Sequence, residues 1–513
     1  MTAQAQESSQ LVSIILQNFR GMNRVSSRLN MSPEFAWMIS NGYVKKDVKS
    51  GLGVLKQRAG ITKFNTVTFT DECKYIYEAE WSSGGTDIII REGTRWAKFD
   101  GVNTFDDLDT GRTSGVRGMC AMFGNELIMV DGGVPRKSTA AYSLSDLSAD
   151  ANMPQDSTAV HVHQHKVWLN SDANPMKAYC CKTDSANGAT SWTGTTDAAV
   201  LDFSKILPSG DRLIGFATFA EVNLIFIFEK YAVVYVCGTD PAAFALQQII
   251  PLNCLSGHAV KQIGNDLGVA SHEGFNSFRS SLTNQDLDTD DLSKYISPLY
   301  RELIDPLSDK RVISAEFSHE LNHLYIAIPG TDPTILVYSV DIQNFVGVWT
   351  GYDCFSLCER KDGTMLVGGT GYVYTMNSGT SDDGEAISFS YDFPFLYDKD
   401  PNSNKAFRQI EGLVVHDGSP LLTIDYSYAT DIISGAQSTI SLQFTSSGVL
   451  WDSADAVWDT ASWAGSSATP FLSCDMLGRG KYMALSLGQR VLDATIEIPY
   501  IILRYKKEGM KIR

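Results

Sequence analysis

The sequence predicts an all-β chain: a β-propeller of six or seven blades followed by a C-terminal β-sandwich-like domain. Three observations carry this. Helix signals are scarce, and short alternating runs broken by Gly, Asn and Asp dominate instead. The runs restart at intervals of roughly 40 to 55 residues, the period of propeller blades. After "SGTSDDGEAI" the rhythm shifts to longer, two-faced strands, as a sandwich requires.

The repeat begins with "YIYEAEWSSGGTDIIIREGTRWAKFDG" at 75–101, three strands joined by tight turns. Later units start at Gly118 ("GMCAMFGNELIMVDGG"), Ala159 ("AVHVHQHKVWLN"), Leu213 ("LIGFATFAEVNLIFIFEK"), Ala259 ("AVKQIGNDLGVASHEGFNSF"), Val312 ("VISAEFSHELNHLYIAI") and Cys354 ("CFSLCERKDGTMLVGG"). Closing such units into a ring removes long exposed sheet edges. The expected divisions are an N-terminal arm and entry segment at 1–50, the propeller at 51–381 and the C-terminal β domain at 382–513. "GLGVLKQRAG" reads as the first propeller hairpin, its glycines at turns around Leu52, Val54 and Leu55.

The chain has 513 residues, 43% of them apolar and 11% aromatic, ample for a sizeable core. Its 42 Lys and Arg against 59 Asp and Glu leave a net charge of −17. That balance argues against a conventional nucleic-acid reader, which shows a basic footprint. It does not exclude a surface that nucleic acid passes without sticking, because like charge repels phosphate. No run of eighteen apolar residues appears, so no transmembrane helix and no stable membrane insertion are expected. "MTAQAQESSQ" lacks the charged start and apolar core of a signal peptide. Nine scattered cysteines, an odd number, suit a free-thiol chain assembled in a reducing cytoplasm.

Candidate chemistry is sparse. His161, His163 and His165 alternate in "HVHQH", so a strand would set all three on one face, where imidazoles can bind zinc. Residues two apart on one strand are splayed, however, and no carboxylate or cysteine lies close in sequence. A polar outer strand face is the competing reading. Asp286, Asp288, Asp290 and Asp291 imitate the start of a calcium loop, but Asp291 stands where glycine is needed and Ser297 where the closing acid belongs. The default there is a solvated acidic loop. "SSGGTDIIIREGTRW" resembles the aspartate boxes of sialidase propellers, which stabilise turns and do not catalyse. No G-x-S-x-G elbow, H-E-x-x-H helix or phosphate-cradling glycine loop is present. No catalytic set, metal or cofactor is therefore expected. Trp451, Trp458 and Trp463, the first two followed by Asp452 and Asp459, form a small repeat that is either an exposed contact surface or the packed underside of a loop.

Several segments, taken in order, resemble one family. The opening "NFRGMNRVSSRLNMSPEFAWMISNGYVKKDVKSGLGVLKQRAGITKF", with a helix start at its "P-x-F-A", resembles the beginning of phage tail proteins. "HVHQHKVWLNSDANPMKAYCCKTDSANGATSW", "LPSGDRLIGFATFAEVNLIFIFEKYAVVYVCG" and "LNCLSGHAVKQIGNDLGVASHEGFNSF" resemble its central strands and turns. "ILVYSVDIQNFVGVWTGYD" and "GTGYVYTMNSGTSDDGEAI" resemble its later strand and blade-closing turn. The family is the nozzle, or tail hub, proteins of short-tailed phages, and the likeness covers about three quarters of the chain. Order and spacing carry it, since each piece is mostly strand and turn residues.

The resemblance implies a structural virion protein of the tail, assembled in the host cytoplasm. It implies a propeller-bearing subunit in a homo-oligomeric ring, a hexamer, below the portal and adaptor. Tail fibre, spike or needle proteins would lie below it. The ring would close the channel to retain packaged DNA and conduct double-stranded DNA non-specifically during ejection. Six copies carry roughly a hundred negative charges, and a lumen lined with some of them would repel phosphate. The loop of Asp286, Asp288, Asp290 and Asp291 is the candidate lining. Arg20, Arg24 and Arg28, at spacing four, would share a face if helical, but an extended arm or a solvated first strand fits equally. Together with Trp451, Trp458 and Trp463 they are the candidate interface residues. The alternatives are a glycan-degrading propeller enzyme, depolymerase- or sialidase-like, and a receptor- or glycan-binding tail module.

Overall fold

The computed structural model describes residues 11–507 apart from 114, 189, 194–196, 220–222, 279–290, 399–400, 430–436 and 445–470. The chain is all-β, built from many small sheets, and divides into two compact units. The first comprises Met1–Thr62, Val337–Gly351 and Asn377–Arg513; the second comprises Lys63–Leu336 and Tyr352–Met376.

The second unit strings together seven antiparallel strand groups among its described residues. Four of them have four strands each: Cys73–Glu80 through Phe105–Asp109, Met119–Phe123 through Leu144–Asp146, Val160–His163 through Ala199–Asp202, and Leu213–Phe219 through Ala245–Pro251. A three-stranded group follows, Val260–Ile263, Asp266–Ala270 and Phe275–Ser277. The sixth is the hairpin of Ser314–Ser318 with His323–Ile328. The seventh holds Ser356–Glu359, Met365–Gly368 and Val373–Met376. Each group starts at or within two residues of a repeat start read from the sequence. Two-residue turns set the registers. Gly124 (φ 62°) and Gly264 (φ 58°), each followed by Asn, close the first hairpins of the second and fifth groups, because such turns need a left-handed backbone that glycine adopts freely.

The second strands of these groups are buried along nearly their whole length, as in Glu126–Val130, Lys166–Asn170 and Asn223–Phe228. Apolar clusters on both sides explain why they read as continuous apolar runs. Trp96, Leu127 and Met129 join the first and second groups. Val130, Val160 and Leu169 join the second and third, and Trp168, Phe203 and Phe226 the third and fourth, with Trp168 5.3 Å from Phe226. Ile225, Ile250 and Leu267 link the fourth and fifth. Ile76, Ile88, Cys358 and Leu366 link the seventh back to the first. Each fully buried aromatic or aliphatic side chain here contributes roughly 1.5–3 kcal/mol.

The first strands touch in the same succession. Cys73–Glu80 meets Met119–Phe123, which meets Val160–His163, which meets Leu213–Phe219. Leu213–Phe219 touches the short turn Gly257–Ala259 that leads into Val260–Ile263. Val260–Ile263 meets Ser314–Ser318, which meets Ser356–Glu359, which returns to Cys73–Glu80. The contacts run in a circuit.

The first unit gathers both chain ends. One sheet has the order Gly42–Lys46, Gly53–Gln57, Thr495–Lys507, Lys405–Asp417, Phe471–Gly480, with Val12–Gln17 also paired on Thr495–Lys507. A second contains, in order, Asn344–Trp349, Met38–Ser40, Phe389–Asp392, Tyr482–Gln489, Leu421–Ala429 and Ser438–Gln443. Strict alternation of burial along Tyr482–Gln489 gives that strand one inward face. The sheets meet where Phe407 stacks on Tyr428 at 5.5 Å.

Several expectations are corrected here. Within the segment 1–50, the described strand Val12–Gln17 is not set apart, because it pairs residue by residue with the last long strand, Val12 opposite Tyr505 and Gln17 opposite Tyr500. The Gly42–Lys46/Gly53–Gln57 hairpin does not open the second unit; Lys56 and Leu55 pair with Glu497 and Ile498 in the first. The "P-x-F-A" helix start is instead a turn, closed by Phe35 N donating to Ser32 O, with a bridge from Ala36 to Met22. The compact units likewise differ from divisions at 50/51 and 381/382, since 51–62 and 337–351 belong with the chain ends. Local pattern specifies that a strand forms, but its partner depends on residues hundreds of positions away.

Candidate functional site

The first strands of the second unit line a cavity of about 730 Å³, and a second cavity of about 840 Å³ shares Arg117, Gly257 and His258 with it. Arg117 therefore stands in the wall between them. It precedes the strand Met119–Phe123, yet its guanidinium binds backbone of three other segments. Nε donates to Lys74 O at 2.8 Å, Nη1 to Val312 O at 2.7 Å and Ile313 O at 3.2 Å, and Nη2 to Phe355 O at 2.6 Å. These carbonyls lead into or lie within the first, sixth and seventh strand groups, so one side chain ties the start of the circuit to its end. Burial pushes the guanidinium pKa down to about 10, with Tyr75 and Cys73 acting weakly the other way.

His258 sits edge-on to the Tyr75 ring at 5.4 Å. Burial, then the nearby charges of Arg117 and Lys261, hold its pKa well below the usual histidine range, so it is neutral. Lys261 pairs with Glu316 at 2.7 Å. Burial opposes the Lys261 charge, but Glu316 outweighs it and the ammonium pKa rises. Near the other lining residues, His319 pairs with Glu359, Lys361 with Glu80 at 2.8 Å, and Arg360 with Glu78 at 3.6 Å. Glu78 and Glu80 are thus engaged by cations and Glu359 by the His319 ring, whereas a glycosidase needs one carboxyl as acid and another as base or nucleophile across the cleft.

The histidine triplet separates. His161 and His163 lie on the strand Val160–His163, where both contact the Thr218 hydroxyl, at 2.8 and 3.1 Å. His163 Nε2 also lies 3.1 Å from Cys237 O. Gln164 (φ 48°) and His165 (φ 60°) form a two-residue turn with both residues left-handed, which takes His165 off the strand. His165 is exposed and pairs with Asp184 at 3.0 Å. The expected common face of three imidazoles is corrected accordingly. Among the described residues no group of three His, Cys, Asp or Glu is placed to hold a metal ion.

The arginines of the opening segment are engaged within the first unit. Arg20 pairs with Glu34 at 2.8 Å while staying on the surface. Arg24 lies 4.3 Å over the Trp37 ring. Arg28 lies 5.1 Å from the Phe395 ring and donates to Phe393 O at 2.7 Å. No helix forms there; Asn18 (φ 58°) and Gly21 (φ 89°) break the path, and the guanidinium groups point to different partners. Neither the helical face nor the extended arm is realised. Asp291 accepts from Ser293 N at 2.7 Å and bridges Asn276, an ordered place at a strand edge, and burial raises its carboxyl pKa. Asp286, Asp288 and Asp290 lie outside the described residues, as do Trp451, Trp458 and Trp463.

Arg117, Lys261 and Glu316 were not singled out from the sequence. They come from separate strand groups, and only the isolated Arg in "GVRGMC", a cation within an apolar strand entry, hints at one of them.

No helix among the described residues is long and apolar enough to cross a membrane. No protein-family model matches this chain, and no curated protein matches it. Among solved structures, the extracellular domain of a protein described as a one component system of B. thetaiotaomicron is similar at a TM-score of 0.43 and 11% identity. The match covers 62% of this chain and 40% of that one, so the chain spans well under half of that structure's length. A computationally designed protein, Ika8, is similar at a TM-score of 0.37 and 11% identity, over 61% of this chain and 99% of its own.

Proposed function

We propose that this chain is a tail nozzle, or hub, subunit of a short-tailed phage, a structural virion protein that forms a ring, closes the channel over packaged DNA and conducts DNA at ejection. In this reading the second unit is a seven-bladed propeller and the first a β-sandwich. The circuit of first-strand contacts from Cys73–Glu80 back to itself is the observation that carries the propeller reading, together with the ordered resemblance of segments along the chain.

Ring assembly is supported by the first unit's strand directions. Val12–Gln17 and Phe471–Gly480 are opposite edges of one sheet among the described residues, and each pairs on one side only. Alternating antiparallel pairing makes the two edges run in opposite directions. The Phe471–Gly480 edge of one copy can therefore extend the Val12–Gln17 edge of the next with antiparallel hydrogen bonds, a head-to-tail contact that closes into a ring. Ile15, Phe471 and Leu477 are exposed on these edges, at 54%, 58% and 76%. Apolar residues left open on an unpaired edge favour association.

Labelling particles released by the encoding strain with an antibody to this chain tests the location. Label at a single tail vertex is expected; label absent from intact virions overturns the reading.

A further inference from the structure

We infer that the cavity lined by Arg117, Lys261 and Ser314 binds a small oxyanion of the phosphate class. The inference is independent of the ring. Arg117 forms no ion pair among the described residues; its guanidinium donates to four carbonyl oxygens. Carbonyls satisfy N–H groups but leave the positive charge of this half-buried guanidinium unneutralised where it faces the two cavities. Lys261 has one carboxylate, Glu316, at 2.7 Å. That part of the wall thus sets two cations against one anion, and His258, under the influence of both cations, is neutral and adds no charge.

The same wall also holds an enclosed hydroxyl. Ser314 lines the same cavity, is 3% exposed, and its Oγ has no hydrogen-bond partner among the described residues. A buried hydroxyl without a partner loses its hydrogen bond to water for nothing in return. A tetrahedral oxyanion would accept from the Lys261 ammonium while neutralising Arg117, and charge-assisted bonds of this kind are the strong ones. The cavity, about 730 Å³, is roomier than an inorganic phosphate needs, so either the free ion or a phosphate monoester fits.

Calorimetric titration of the full chain at constant ionic strength in chloride tests this, with inorganic phosphate, a nucleoside 5′-monophosphate and a short DNA duplex as separate arms. One saturable site for phosphate or the monophosphate is expected, and the tighter of the two identifies the free ion or the ester as the ligand. Lys261→Gln is expected to weaken binding about ten-fold. Glu316→Gln is expected to tighten it several-fold, because it frees Lys261 and removes a repelling charge; a purely structural role for the pair gives no such gain. Circular dichroism checks that both variants fold, and Glu316→Gln decides the matter if Lys261→Gln does not. Absence of saturable binding up to about 10 mM, binding of the duplex alone, or affinity unmoved by Glu316→Gln overturns the inference.

Discussion

Arg58 and Asp382 lie 324 residues apart in sequence and form a two-pronged ion pair inside the first unit, with Arg58 Nη1 donating to Asp382 Oδ1 at 2.7 Å. The Arg58 side chain is wholly buried, and its remaining donors reach Asn41 Oδ1 at 3.0 Å, Ala59 O at 3.1 Å and Thr350 O at 3.0 Å. It thereby holds three stretches of chain together. Asp382→Ala leaves a buried guanidinium without its counter-charge and should cost about 3–5 kcal/mol. Hydrogen exchange in the first unit reads the effect; protection unchanged from wild type would show that the pair is not structural.

Arg117→Leu should destabilise the second unit by about 2–4 kcal/mol, since the carbonyls of Lys74, Val312, Ile313 and Phe355 lose their shared donor. Arg117→Lys should recover only part of this, because an ammonium cannot reproduce the planar fork. Hydrogen exchange at Cys73–Glu80 and Ser356–Glu359 is the readout, and loss at both together is the expected pattern.

Stability should fall on mild acidification through two histidines. Burial, with His163 nearby, lowers His161 from 6.5 to about 4, and burial lowers His323 to about 4 as well. The unfolded chain therefore binds more protons than the folded one between pH 6.5 and about 4. Stability drops as pH falls across that window, by up to about 1.4 kcal/mol per pH unit for each histidine, and these groups add no slope outside it. Denaturant titrations of wild type and His161→Asn at matched pH isolate the term; parallel pH profiles would contradict it.

Thiol chemistry should be slow in the native protein. Eight of the nine cysteines are buried, and Cys474 is half-buried. Burial pushes Cys73, Cys254 and Cys358 up to about 12 and Cys474 to about 11, so little reactive thiolate exists at neutral pH. A chromogenic disulfide reagent should detect at most one thiol before unfolding and nine after. Several fast thiols in the native state would count against the packing described.

The seven strand groups were legible because alternation and turn residues are local signals. "GNE" and "GND" announce hairpins that form at Gly124 and Gly264. The Gln164–His165 turn was not legible, since neither residue marks a left-handed turn, and the histidine triplet was misread as one strand face. The partnership of Val12–Gln17 with Thr495–Lys507 has no local signature at all. For the same reason Arg58 and Asp382 fell into different expected domains, though they are bonded partners in one unit. The cavity residues show the limit for sites. Lys261 and Glu316 are ordinary charges on ordinary strands until the circuit of contacts brings their strands together.

The native mass of the purified chain at micromolar concentration tests most directly whether it is a ring-forming tail subunit. A closed species of about six copies is expected, reduced to monomer by Leu477→Lys, which places a charge on the exposed strand edge. A wild-type chain that stays monomeric at every concentration and in the presence of an isolated adaptor ring would contradict ring assembly.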